Sequence, residues 1–456
     1  MRALVVAVVA AIALGVLVAA TTPLAIVAGV VGLGILAAVW WRPWTGVFLF
    51  MSVVALLPFG VIPLPIGGAQ LTLIDAILIA TFSAVLGRVF TGRGLPIGAP
   101  AMALLGFVLV IGAAFVNGTA LSPAPPELIR RVAKLIASLL FFLIASGLLT
   151  STERVVQLAR WLMLAGAIQG AIGSLLRLLS PLTQLNLLSS LRVVGYPTTD
   201  VLRYVPGPND TYTDQLRAIG TSVDPNVFGG TLMLALAVIV VQWAAPRPVF
   251  PRWVLLVLAA PTAAGILLSL SRASWVGLAA GLLLIGFTRY RRIMVLGVLV
   301  GAALLATPVG QDVIERFISG FSTADRATAF RFGEYANALL LIQRYPFLGI
   351  GFGLSPDIDV TAGVSSVYLL VAEQTGLLGL GVYLIALGSV WWAGMRALSN
   401  RGGERVQGLL AALVAAFSSA LVAGLLDHYF ANFAFPHAVA LVWLYAAALW
   451  RLAAAD

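Results

Sequence analysis

The side chains able to do covalent chemistry are few. The 456-residue chain has no cysteine and only two histidines, His428 and His437, so thiolate zinc sites, disulfides and cysteine nucleophiles are excluded. Arginine is plentiful: of 27 basic residues, set against 17 acidic ones, only Lys134 is a lysine. Guanidinium groups are fixed cations whose planar fork can hold phosphate oxygens in pairs. Proton acceptors are candidates at Asp224, Glu334, Glu373, Asp427 and His428. Asp427 could orient and charge the neighbouring imidazole, although a histidine there also serves to cap a helix end. Asp224 precedes Pro225 and suits a helix cap, and Glu334, one turn from Arg331, reads also as its ion-pair partner.

Two further patterns carry less. Asp357 and Asp359 spell D-x-D, and two carboxylates flanking one residue can share a hard cation, but so short a pattern arises readily by chance. Gly349, Gly351 and Gly353 are no dinucleotide fingerprint, because no strand and crossover helix frame them. The reading therefore assigns no metal and no cofactor.

The positive charges divide by place. Arg130, Arg131 and Lys134 follow Glu127 at the start of an apolar run, where a helix N-terminus adds its own positive potential and a phosphate or pyrophosphate would be at home. A Glu127 to Arg131 pair at i,i+4 is the simpler account, and it leaves Arg130 and Lys134 unexplained. Arg272 abuts apolar sequence on both sides in LLSLSRASWVG; there an arginine needs a partner or an anionic ligand. Arg177, Arg316, Arg326 and Arg344 read as interfacial side chains reaching for water.

Membrane helices must position these groups. Hydrophobic residues make up 61% of the chain and charged residues 10%, against roughly a quarter charged in soluble domains. Apolar stretches of about 18 to 25 residues recur throughout, each long enough to cross the hydrocarbon as a helix. Strand-like alternation is absent, which excludes a membrane β-barrel. The pattern predicts an all-α polytopic protein, one domain over 1–456, with about fourteen spans beginning near residues 3, 23, 44, 70, 97, 128, 154, 226, 252, 273, 293, 366, 405 and 432. The first reads as an uncleaved helix rather than a signal peptide, because another apolar run follows at once. Basic residues scattered between apolar spans give poor support to nucleic-acid binding.

With the N-terminus cytoplasmic, alternate short connections hold Arg42, Arg88, Arg93, Arg154, Arg247, Arg252, Arg289, Arg291, Arg292, Arg396, Arg401 and Arg405, as the positive-inside rule requires. The C-terminus is then cytoplasmic too. Two long connections, 179–225 and 307–364, fall on the exoplasmic side. Residues 197 to 225, rich in Pro, Gly, Thr and Asp, predict irregular turns. In the second connection, helical spacing between Phe330 and Ile342 and a break at Tyr345-Pro346 predict a short amphipathic helix.

Three segments, in order, carry a resemblance. RAIGTSVDPN from Arg217 to Asn226 resembles an R-x-x-G-T-x-x-D-P-N element. SRASW from Ser271 to Trp275 resembles S-R-x-x-W/L. Arg331, Tyr335 and Ala338, then PFLGIGFG from Pro346 to Gly353, then Tyr368, Glu373 and Gly376 to Gly379, resemble R-x-x-x-W-x-x-A, P-L-L-G-x-G-x-G and L-x-x-x-E-x-G-L-x-G-L. All are motifs of the O-antigen ligase and polymerase superfamily of bacterial membrane glycosyltransferases.

The resemblance implies a GT-C-type enzyme of the bacterial cytoplasmic membrane, moving glycan from an undecaprenyl-diphosphate-linked oligosaccharide to a glycan or lipid acceptor outside it. Membrane lipids and, for a polymerase, a chain-length regulator are the partners it implies. The departing diphosphate must be neutralised by fixed cations if no metal is present. The resemblance gives that role to Arg217, Arg272 and Arg331, with Arg130, Arg131 and Lys134 added by position. Ligases of the family carry a histidine shortly before the A-E-x-G-L segment. Here Ser365 stands at that place, and a hydroxyl is too weak a base for the work. The departure favours repeat-unit polymerisation of a surface polysaccharide over en bloc ligation. A secondary anion transporter is the rival from another class; paired broken helices and an internal repeat, the usual marks of such proteins, are not evident in the sequence.

Overall fold

The computed structural model describes residues 23–62, 71–92, 94–197, 199, 201–206, 212–319, 326–357, 359–399 and 402–454. The helix expected from residue 3 lies outside them. In a bilayer the backbone has no water to bond, so apolar runs satisfy their own N–H and C=O groups as helices. In chain order these are α1 (Pro23–Trp41), α2 (Trp44–Leu56), α3 (Leu73–Phe90), α4 (Ala99–Leu121), α5 (Pro126–Leu148), α6 (Thr152–Arg177) and α7 (Pro181–Ser190). There follow α8 (Pro225–Ala244), α9 (Arg252–Ser269), α10 (Arg272–Thr288), α11 (Arg291–Leu305), α12 (Pro308–Ser319), α13 (Arg326–Arg344), α14 (Val367–Leu398), α15 (Glu404–Leu426) and α16 (Pro436–Ala453).

Eight of the described helices are long and apolar enough to cross a membrane: α3, α4, α6, α8, α9, α14, α15 and α16. The all-α membrane architecture therefore stands, while fourteen full spans are not found. Several predicted spans are shorter helices, among them α2 at 13 residues and α10 at 17. The breaks at Pro43 and at the Leu270–Ser271 turn fall where the sequence reading began new spans, but α2 and α10, the helices that follow them, are shorter than a full crossing.

α8, α15 and α16 form the centre, with 83%, 78% and 78% of their spanning windows buried, whereas α3, α4, α9 and α14 are only 33–39% buried and lie outside them. Close approach is bought with small residues: a Cβ on Gly277 of α10 would stand 2.6 Å from the Ser419 carbonyl of α15.

The two long connections are more ordered than their composition predicts. The first contains α7, a 3-10 turn at Leu191–Val194 and an antiparallel ribbon of β1 (Tyr204–Pro206) and β2 (Tyr212–Leu216), pairing Tyr204 with Leu216 and Pro206 with Tyr212. Tyrosine, valine and threonine favour a pleated ribbon even in a Pro- and Gly-rich stretch of sequence. The second connection holds two helices, α12 and α13, rather than one; α13 ends at Arg344, where Tyr345-Pro346 breaks it as expected.

Candidate active site

The site is built at the N-terminal end of α8. Asp224 caps that helix, its Oδ1 accepting the N–H groups of Asn226 at 2.8 Å and Val227 at 3.0 Å, so the capping role foreseen for it is real. Just upstream, Arg217 donates from Nε to the Ser269 carbonyl at 2.8 Å and from Nη2 to Asn226 Oδ1 at 2.6 Å. Arg217 thereby ties the first motif segment, RAIGTSVDPN, to the last turn of α9.

That turn leads into Arg272. Leu270 is held left-handed at φ 53°, Ser271 precedes α10 at its N-cap position without a side-chain capping bond, and Arg272 is the first residue of the helix. Trp275 Nε1 donates back to the Ile266 carbonyl at 3.1 Å, and Ser274 bonds Ser271 through their hydroxyls at 3.0 Å. These contacts fix the partly buried Arg272 backbone at the seam of two helices. The start of α8 lies against the same seam, since a Cβ on Gly229 would meet the Ser269 and Ser274 hydroxyls at 2.8 Å.

From the other side come α13 and the C-terminal end of α15. Arg331 Nη2 lies 3.6 Å from Asp427 Oδ2, with side-chain exposures of 24% and 6%. The partner of Arg331 is thus Asp427 and not Glu334. Asp427 Oδ1 accepts the backbone N–H of His428 at 2.8 Å; its carboxylate therefore grips the main chain, where the sequence suggested it might orient the imidazole ring. Burial pushes the Asp427 carboxyl above its ordinary range; His428 and Arg331 pull it back, and Asp224 adds to the rise. Asp224 and Asp427, distant in sequence, therefore share one electrostatic neighbourhood.

Glu334 faces a different task. Its Oε2 accepts the N–H of Ser365 at 2.9 Å, while Tyr335 Oη donates to the Ser365 carbonyl at 3.3 Å and to the Leu425 carbonyl at 3.3 Å. Burial raises the Tyr335 phenol above its usual value, Arg331 opposes the rise, and Asp427 and Glu334 add to it. Buried Glu373 reinforces the same segment by accepting the Gly363 N–H at 2.8 Å.

Around these groups opens a cavity of about 700 Å³, lined among others by Glu334, Asn337, Gly363, His428 and Asn432. Asn337, Thr361 and Asn432 are polar lining residues that the sequence reading missed. Asn337 stands one helical turn beyond Glu334 and so on the same face, a signal that was available; Asn432 sits in an irregular turn and offered none.

The glycine-rich PFLGIGFG segment is a backbone seam. Gly349 and Gly351 have φ of 66° and 78°, and Ile350 and Gly351 donate to the Glu373 and Gln374 carbonyls at 2.9 and 3.1 Å. Opposite them α14 breaks at Gly376, whose φ of 69° and ψ of −176° no side-chain-bearing residue adopts comfortably. Leu377 N–H then reaches the Pro346 carbonyl at 2.7 Å. Asp357 and Asp359 are engaged by Arg344, whose Nη1 lies 2.9 Å from the first and 3.7 Å from the second. Among the described residues no group of three or more His, Asp or Glu side chains could hold a metal ion.

Arg130, Arg131 and Lys134 are placed elsewhere. Glu127 takes Arg131 at 3.0 Å and Arg130 at 3.6 Å, and Lys134 Nζ pairs with Asp75 Oδ2 at 2.7 Å. None of the three lines the 700 Å³ cavity.

Residues 254–384 match the family model described as O-antigen ligase. That segment is similar to the O-antigen ligase family, in line with the resemblance carried by the motifs. The O-antigen ligase match begins in α9 and ends in α14, so it takes in Arg272, Arg331, Glu334 and Glu373. Arg217, Asp224, Asp427 and His428 lie outside it and join the site through the fold. A comparison with curated proteins finds no match. The O-antigen ligase family implies a lipid-linked glycan donor, a glycan acceptor and an integral membrane protein.

Proposed function

We propose that this protein is a polymerase of the O-antigen type, transferring glycan from an undecaprenyl-diphosphate-linked oligosaccharide to an acceptor hydroxyl on the exoplasmic face of the cytoplasmic membrane. The observation that carries it is a cavity lined by Glu334 and His428, with the Arg331–Asp427 pair beside it, at the end of the bundle where Arg217 and Arg272 also sit. Cations gathered at one end suit a departing diphosphate, whereas a transporter would need them along a path across the bilayer.

In this reading Glu334 takes the proton of the acceptor hydroxyl, whose oxygen forms the new bond to the anomeric carbon. The bond from that carbon to the diphosphate breaks, and its electron pair leaves with the lipid diphosphate. Arg217, Arg272 and Arg331 neutralise that charge in a site of low dielectric, where fixed donors act most strongly. Transfer then needs no metal. His428 borders the cavity and positions the acceptor sugar. Ser365, held by Glu334 through its backbone, stands where ligases of the family carry histidine, and this supports chain polymerisation.

The test is reconstitution of the purified protein with a lipid-linked oligosaccharide, reading product length on a gel. A ladder of products is expected. A single discrete shift would make the protein a ligase, and no product with any polyprenyl-linked glycan would end the transferase reading.

A further inference from the structure

A second cavity, of about 540 Å³, lies between α3 and α5 and shares no lining residue with the one at the candidate site. One wall is Ile74, Leu78 and Phe82 of α3; the other is Ala133, Ala137 and Leu140 of α5. Spacings of three and four residues put each set on one helix face. The groove exists because Ala133 and Ala137 are small, and it is open outward, with Ile79 on its rim 56% exposed.

The charges of the groove lie at one end. Both helices begin there, and α5 carries no charged residue after Lys134. Arg130 and Lys134 line the groove with Asp75. Lys134 and Asp75, exposed by only 28% and 9%, neutralise each other at 2.7 Å. Glu127 is shared between Arg130 and Arg131, both about half exposed. Three cations thus face two carboxylates, and one positive charge is left over at the mouth of an apolar trough.

We infer that the α3–α5 groove is a binding site for an anionic glycerophospholipid, with an acyl chain along Ala133 and Ala137 and the phosphodiester at Arg130. A single phosphodiester without a headgroup amine carries one negative charge and balances the surplus; a zwitterionic lipid cancels its own phosphate, and a diphosphate brings more negative charge than the mouth can meet. The inference is independent of the glycosyl-transfer reading, since the two cavities are separate.

The experiment uses the full-length protein, purified in detergent and delipidated, with phosphatidylglycerol, phosphatidylethanolamine and undecaprenyl phosphate as probes in native mass spectrometry. Phosphatidylglycerol should be retained about five- to tenfold more strongly than phosphatidylethanolamine, the effect of about one basic residue at a membrane surface. Ala137→Phe fills the groove and should abolish that preference. Arg130→Glu inverts the charge without touching the apolar walls, so it decides the matter if Ala137→Phe does not fold. Equal retention of the two phospholipids, an unchanged preference in Arg130→Glu, or displacement of phosphatidylglycerol by equimolar undecaprenyl phosphate would each overturn the assignment.

Discussion

Glu334 and Ser365 are joined side chain to main chain: the Glu334 carboxylate accepts the Ser365 N–H at 2.9 Å, and the next residue of the helix, Tyr335, donates to the Ser365 carbonyl at 3.3 Å. The proposed base is thus also a loop clamp, and substitution can separate the two roles. Glu334→Gln keeps an oxygen to accept the Ser365 N–H but cannot take a proton at neutral pH. It should lower transfer by about a hundred- to ten-thousandfold, the usual worth of a general base, with thermal stability close to wild type. An active Glu334→Gln beside a destabilised Glu334→Ala would reduce Glu334 to a clamp.

The break at Gly376 kinks α14 where the glycine-rich segment docks. With φ of 69° and ψ of −176°, the position lies in a region that only glycine occupies without strain. A methyl group there also runs into the Phe347 carbonyl. Gly376→Ala should cost about 1 to 3 kcal/mol, read as a lower midpoint in thermal unfolding. Gly381, on the same helix, has no atom near its missing Cβ, and Gly381→Ala should leave that midpoint unchanged or raise it.

How far the sequence could be read follows from the range of each interaction. Helix type, the break after Arg344 and the Asp224 cap depend on neighbours in sequence, and all three are found as expected. Partners across helices were out of reach. Arg331 pairs with Asp427 rather than with nearby Glu334, and Lys134 with Asp75 rather than within its own cluster. The glycine motif could be recognised as no nucleotide loop, yet its docking on the Gly376 kink depends on carbonyls of another segment. Charge alone grouped Arg130 with Arg272; only packing separates a lipid-facing groove from the cavity beside α13.

Asp427 makes a pH dependence. Burial raises its carboxyl pKa in the folded state, so the folded protein binds that proton more tightly than the unfolded chain does. Its protonated form therefore adds stability below the ordinary carboxylate value of about 4, and that contribution is lost as pH climbs through the raised value. Asp427→Asn removes the titration. The wild-type unfolding midpoint should fall relative to Asp427→Asn between weakly acidic and neutral pH; a constant difference, or one of opposite sign, would contradict the assignment.

The D-x-D pair bears on metals. Arg344 spans Asp357 and Asp359 at 2.9 and 3.7 Å, which gives both carboxylates a cation of their own. Transfer should continue unchanged in excess EDTA. Loss of activity with EDTA and recovery with Mn²⁺ would make the aspartates metal ligands, and Arg344→Gln should then tighten metal binding by removing the competing cation.

Arg272 is the sharpest test of donor recognition. The Leu270 turn, the Ser274–Ser271 hydroxyl bond and the Trp275 bond to Ile266 hold its backbone independently of its own side chain. Substitution should therefore spare the fold. Loss of a fixed cation at a developing oxyanion is worth about 2 to 4 kcal/mol, which is roughly a hundred- to thousandfold in rate. Arg272→Ala should show that loss in turnover with lipid-linked oligosaccharide, with expression and melting in detergent near wild type. Arg272→Lys restores charge without the planar fork and should recover only part of the rate. Near-normal turnover by Arg272→Ala would take the residue out of the diphosphate site, and a protein that no longer folds would make it a structural anchor of the α9–α10 turn.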